Sequence, residues 1–152
     1  METVRWLDGN QQTTWRAYLD STRLLFRALD RQLERDAWIS LVDFEVLVAL
    51  VEAPGRRLRM HELAVVVAST RSGVTRVVTR LAANGWVRRV RCEQDKRGRY
   101  AELTDAGAEK LCQAAPGHLA TVRATMFDLL DEQQTAQLWH IASTLRAHLL
   151  DS

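Results

Sequence analysis

Thr70-Arg71-Ser72-Gly73-Val74-Thr75-Arg76-Val77-Val78-Thr79-Arg80-Leu81 opens a run that continues through Asn84-Gly85-Trp86-Val87-Arg88-Arg89-Val90-Arg91. It ends on Asp95-Lys96-Arg97-Gly98-Arg99-Tyr100-Ala101-Glu102-Leu103. Val74, Val77, Val78 and Leu81 share one face at helical spacing, which predicts a helix over about residues 71–84. The hydroxyls of Ser69 to Ser72 offer N-caps, and Asn84-Gly85 is a C-terminal stop. Residues 86–91 and 99–103 predict two strands. The turn Asp95-Lys96-Arg97-Gly98 between them closes a β-hairpin with a basic tip.

Upstream, residues 41–52 predict a helix capped by Ser40, with Leu41, Phe44, Leu47, Val48 and Val51 inward. Ala53-Pro54-Gly55 ends it. Arg57-Leu58-Arg59-Met60 is long enough for no more than a strand fragment, and His61 to Val67 predicts a short helix. Residues 14–35 predict a long helix, with Trp15, Tyr18, Leu19, Thr22, Leu25, Phe26, Leu29 and Leu33 as its apolar stripe. That stripe is long for one small core to cover, so part of it is free to meet a second chain. Downstream, Thr104 caps a helix with Asp105 and Glu109 near its positive end. Pro116-Gly117 predicts a kink or break in its continuation. Residues 131–150 predict a last helix with Leu138, Ile141, Ala142, Leu145 and Leu149 on one face.

The fold class is therefore mainly α with a small β-wing. Helix, helix, short helix, turn, helix and hairpin is the order of a winged helix-turn-helix. The chain has 152 residues, room for one ordinary domain, with 47% hydrophobic and 26% charged residues, which excludes a disordered chain. No apolar run approaches the ~18 residues of a membrane span, and Met1 to Arg5 lacks the apolar core of a secretory signal. The expected place is the cytoplasm, with no membrane partner. Two cysteines cannot make a disulfide scaffold. No Cys-x-x-Cys or His-x-x-x-His pair suggests a metal site, and no cofactor is implied. Gly-rich phosphate loops, nucleophile elbows and paired carboxylates are all missing, so no enzyme is expected.

The net charge of +2 conceals an asymmetry. Pro54 to Tyr100 holds twelve basic and three acidic residues, while the flanks are acidic overall. A basic middle between acidic flanks suits a nucleic-acid surface, although a solvated basic face has the same composition. In a helix-turn-helix the start of the second helix faces the base edges. Here that helix carries Thr70, Arg71, Ser72, Thr75, Arg76, Thr79 and Arg80. Arginine can bond guanine O6 and N7 together, and hydroxyls can meet base or phosphate. Lys96, Arg97 and Arg99 at the hairpin tip are suited to the backbone or an adjacent minor groove.

The sequence resembles the MarR family of transcriptional regulators. The matching stretches are His61-Glu62-Leu63-Ala64, Gly73 to Leu81, and Asn84-Gly85-Trp86-Val87-Arg88-Arg89. The most specific match is Asp95-Lys96-Arg97-Gly98 followed by Leu103-Thr104-Asp105-Ala106-Gly107, similar to the family's wing signature. Trp6-Leu7, Trp15-Arg16-Ala17-Tyr18-Leu19 and Pro54 to Met60 are similar to actinobacterial members. The resemblance covers almost the whole chain. It implies a homodimer built by a helical dimerisation region (residues 1–36 and 104–152) around a winged helix-turn-helix DNA-binding domain (37–103). It further implies a palindromic double-stranded DNA operator, with repression the commonest outcome in the family. By the same resemblance Arg97 reaches the minor groove and Asp95 supports the wing arginines.

Family members often bind small aromatic or phenolic effectors in a crevice between the dimer helices and the winged domain. Trp15, Tyr18 and Phe44 are the candidates to line one here, and core packing is the alternative role of each. Two other functions stay open. One is a protein-interaction module that kept the fold without DNA binding. The other is a redox-sensing regulator using Cys92, whose neighbours Arg89 and Arg91 would lower a thiol pKa.

Overall fold

A computed structural model describes residues 4–67, 70–91 and 99–151. In chain order the elements are helix α1 (Gly9–Ala37), α2 (Leu41–Glu52), strand β1 (Arg57–Arg59), α3 (Met60–Val66), α4 (Arg71–Ala83), β2 (Val87–Arg91), β3 (Arg99–Leu103), α5 (Asp105–Thr125) and α6 (Glu132–Leu150). The mainly helical winged fold is as expected, with four differences of detail.

α1 begins at Gly9, not near residue 14. Asp8 accepts the Gln11 N–H at 2.8 Å, and the Gln11 side chain accepts the Asp8 N–H at 3.1 Å. This reciprocal capping box satisfies two donors that a helix start leaves orphaned. At the other end Trp38 adopts the left-handed conformation (φ 58°), and its N–H closes onto Glu34.

The sheet has three antiparallel strands in the order β1-β3-β2, not two. β1 pairs Arg57 with Glu102 and Arg59 with Tyr100, so the short segment before α3 is sewn to the hairpin. β2 and β3 pair from Val87–Leu103 to Arg91–Arg99.

α5 runs through Pro116 without a break. Proline removes one backbone hydrogen bond, the one to the carbonyl of Cys112, and Cys112 is exposed where water can replace it. Around it Leu111 and Ala114 are buried in the core, and the His118 ring packs on Phe44. Gly117 lies against Gln32 of α1, so closely that a Cβ there would stand 2.7 Å from the Gln32 Nε2. Tertiary packing thus outweighs the local preference for a kink. The break falls instead at Met126 (φ −139°, ψ −69°) and a single 3-10 turn, Phe127–Leu129. Asp131 then caps α6 with a capping box of its own, to Gln134.

The core is continuous from the end of α1 to the middle of α5. Leu33, Leu47, Leu50, Leu63, Val74, Val78 and Leu81 are wholly buried in it. Val51, read as inward, lies at the surface, and Val46 and Leu50 fill the interior instead. α6 has no buried residue at all. Of the α1 stripe, Leu29 and Leu33 are buried, while Trp15, Tyr18 and Phe26 are exposed. No helix among the described residues is long and apolar enough to cross a membrane.

Candidate nucleic-acid interface

α4 is anchored on its aliphatic side and open on the other. Val74, Val77, Val78 and Leu81 are buried, whereas Arg71, Ser72, Thr75, Arg76, Thr79 and Arg80 are exposed. Thr70 is the N-cap. Its hydroxyl accepts the Gly73 N–H at 3.1 Å and lies 3.3 Å from the Ser72 hydroxyl. Such a cap contributes about 1 kcal/mol and fixes the first turn. Thr75 and Thr79 donate their hydroxyls back to the carbonyls of Arg71 and Thr75, at 2.9 and 2.7 Å. The Arg71 and Arg76 side chains make no hydrogen bond or ion pair with any described residue, so both are available to a ligand.

Arg80 is differently engaged. Its guanidinium grips Asp43 Oδ1 through Nη2 at 2.6 Å and Nε at 3.1 Å. Asp43 is only 4% exposed, and its other oxygen accepts the Ser40 N–H at 3.0 Å. A carboxylate buried this far needs its charge and lone pairs satisfied, and Arg80 supplies both from α4. The start of α2 is tied further by Asp30, which accepts the Leu41 N–H at 2.7 Å. The pair therefore sets the angle between α2 and α4.

Arg89, expected from the sequence only as a neighbour of Cys92, braces α4 from the sheet. It donates to the Thr75 carbonyl at 3.2 Å and to the Thr79 hydroxyl at 2.5 Å. Arg88 instead pairs across the sheet with Glu102. Arg91 and Arg99 stand opposite each other at the end of the ladder, both exposed. Asp95, Lys96 and Arg97 lie outside the described residues, as does Cys92.

The junction of sheet and α5 explains the Leu103-Thr104-Asp105-Ala106-Gly107 motif in physical terms. The Thr104 N–H donates to the Trp86 carbonyl at 3.1 Å, and its hydroxyl donates to the Gly85 carbonyl at 2.7 Å. The same hydroxyl accepts the Gly107 N–H and so caps α5. Gly107 is packed against the strand that Trp86 leads into. A Cβ there would stand 2.1 Å from the Trp86 carbonyl oxygen, so only glycine fits.

A helix-turn-helix with an antiparallel sheet folded beside its exposed second helix defines a winged-helix DNA-binding protein. A profile of the MarR family matches residues 39–98. The chain is 46% identical to Sco3205 of Streptomyces coelicolor, a MarR family transcriptional regulator whose structure is known in complex with DNA. That alignment covers 98% of this chain and 93% of Sco3205, with a TM-score of 0.92. AbsC, a MarR family regulator of the same organism, is 35% identical over 98% of this chain and all of its own length, with a TM-score of 0.90. The transcriptional repressor YetL of Bacillus subtilis is 35% identical over 91 residues, which span 60% of this chain and 54% of YetL. The chain belongs to the MarR family of DNA-binding transcriptional regulators, which are not enzymes.

The aromatic candidates do not share one site. Phe44 forms a wall of a cleft of about 600 Å³ between α1, α2 and the end of α3, together with Phe26, Leu29, Leu41 and Val48. Glu45, Glu52 and His118 also line it. Phe44 and His118 stack with ring centroids 4.3 Å apart. The His118 Nδ1 is buried with no hydrogen-bond partner among the described residues, and burial lowers the imidazole pKa below its ordinary value. Burial likewise raises the carboxyl of Glu45. Tyr18 lines a second hollow of about 320 Å³ with Met126, Leu129 and Leu138. Trp15 lines neither of these and lies with its ring centroid 6.4 Å from that of Tyr18. Among the described residues no group of three or more His, Cys, Asp or Glu could hold a metal ion.

Proposed function

We propose that this protein is a dimeric, ligand-responsive repressor that binds a palindromic operator in double-stranded DNA. The observation that carries the reading is the exposed face of α4. There Arg71 and Arg76, which no described residue pairs with, stand beside Ser72 and Thr75 on a helix fixed by the Arg80–Asp43 pair and by Arg89. This is a rigid, basic surface shaped for the major groove. Arg99 and the wing residues Lys96 and Arg97 extend the charge, with Asp95 as support. Thr70 acts through the cap, and Thr79 and Arg80 position the helix more than they read it.

A second copy of the chain is the proposed cover for the apolar surface left by the outer helices. Trp139, Ile141, Leu145 and Leu149 of α6 are all exposed, as are Leu24 and Phe26 of α1. Monomeric proteins seldom leave so much apolar surface to water. Two winged units related by a two-fold axis would reach half-sites about 34–36 Å apart. Ligand response rests on the cleft beside Phe44, whose volume suits a small aromatic effector.

The test is selection from a random duplex library, followed by titration of the winner at two salt concentrations. A palindromic winner whose affinity falls steeply with salt is expected, because phosphate contacts release counterions. A flat library from folded, dimeric protein would overturn the reading in favour of an interaction module. Arg97→Ala should weaken operator binding about tenfold or more while leaving the dimer intact in sedimentation. Unchanged affinity would take the wing out of the interface.

A further inference from the structure

We infer that the cleft beside Phe44 selects a small aromatic molecule carrying a positive charge, with the Glu45 carboxylate as its counter-ion. The inference rests on the ligand-responsive reading above and names the chemistry of that site. The cleft holds about 600 Å³, enough for a two-ring molecule. Its walls include the Phe26 and Phe44 rings and the aliphatic side chains of Leu29 and Val48. Among the described residues no arginine or lysine lines it, and its ionisable groups are Glu45, Glu52 and His118.

Glu45 is the informative residue. It sits on α2 between Phe44 and Val46, half-buried, and accepts no hydrogen bond or ion pair from any described residue. A carboxylate in that position has lost part of its hydration and gained nothing in exchange. The cost shows in its raised pKa, which has burial as its cause. An ammonium or amidinium group entering the cleft supplies the missing charge. The exposed Phe26 ring in the same lining can attract a cation too. His118, held below its usual pKa by burial, is neutral at pH 7. An aromatic carboxylate would instead meet Glu45 and Glu52 with no cationic side chain in the lining.

The test is calorimetric titration of the full-length dimer with three probes that share one ring system. They are 2-naphthylmethylamine, 2-naphthalenemethanol and 2-naphthoate, respectively cationic, neutral and anionic. The amine is expected to bind about tenfold or more tighter than the alcohol, and the naphthoate weakest. Glu45→Gln should bring the amine to within about threefold of the alcohol while leaving the alcohol's affinity unchanged. Naphthoate binding as tightly as the alcohol would overturn the inference while leaving an aromatic effector site in place. So would an amine affinity that Glu45→Gln does not alter. If no probe binds a dimer that still binds its operator, the ligand-responsive reading itself fails, and this inference fails with it.

Discussion

The inner and outer halves of this molecule contain similar apolar residues and treat them in opposite ways. In the inner half Leu63, Val74, Val78 and Leu81 are wholly buried within one chain. In the outer half Leu119, Leu129, Trp139 and Leu149 are exposed, and α6 buries nothing. Helical periodicity is present in both, so periodicity alone reports that a face seeks cover and not what covers it. The inner half completes its core by itself. The outer half carries the apolar face of a core without the other side.

The contrast can be broken most decisively at α6. If a second copy covers α6 as proposed, Leu145→Asp should yield a monomer in sedimentation and lower operator affinity about 100-fold or more, since one half-site would then bind without the other. A dimer that survives this change would move the interface elsewhere. The mirror experiment is Leu81→Ala, which should cost about 2–5 kcal/mol by emptying a buried site. Its loss in melting temperature should arise within each chain's own core and leave dimerisation intact. A fully native melting temperature would contradict the burial described.

Two glycines sharpen the comparison at the boundary between the halves. Gly107→Ala drives a Cβ into the backbone carbonyl of Trp86 and should cost about 1–3 kcal/mol. Gly117→Ala meets the end of the Gln32 side chain, which is buried and bonded to Asp36 at 3.1 Å but gives more readily than a backbone carbonyl, and should cost less, about 1 kcal/mol or under. Equal costs in chemical denaturation would show that α5 is held as firmly to α1 as to the sheet. The smallest effect is one of pH. Burial lowers His118 in the folded chain, so its contribution to stability is present above the ordinary value of 6.5 and is lost as pH falls through the folded pKa. His118→Gln should flatten the decline in stability between about pH 7 and 5. Glu45, raised by burial, acts with the opposite sign: its contribution is present below its ordinary 4.5 and is lost as pH rises through its folded pKa.

Local patterns made most of the fold legible. The caps at Ser40 and Thr104 are readable from the residue and its neighbours, while for α4 the sequence offers the hydroxyls of Ser69 to Ser72 together and the structure selects Thr70. The Asp8–Gln11 capping box is equally local, but it lies ahead of the apolar stripe that marks α1 in the sequence. What escaped was non-local. β1 exists because Arg57 to Arg59 meets β3 more than forty residues away, and nothing in a three-residue segment announces its partner. Pro116 carries a strong local signal that packing against α1 and α2 overrides. The same distinction applies to the candidate site. The exposed residues of α4 follow from its period, but the commitment of Arg80 to Asp43 does not, since the two lie 37 residues apart. Nor could sequence separate Phe44 from Trp15 and Tyr18, because aromatic character says nothing about which hollow a ring enters.

The welded start of α5 makes that helix a lever. Thr104 and Gly107 clamp one end to the sheet through the Gly85 and Trp86 carbonyls. Its 21 residues give an arm of about 30 Å. A tilt of about 5° at the clamp therefore sweeps the far end through about 2.6 Å. Conversely, a shift of that size where the outer helices meet turns the winged unit by several degrees. In the proposed dimer, groove contacts would work over tenths of an ångström, so a small rearrangement among the outer helices would suffice to take both winged units out of register at once.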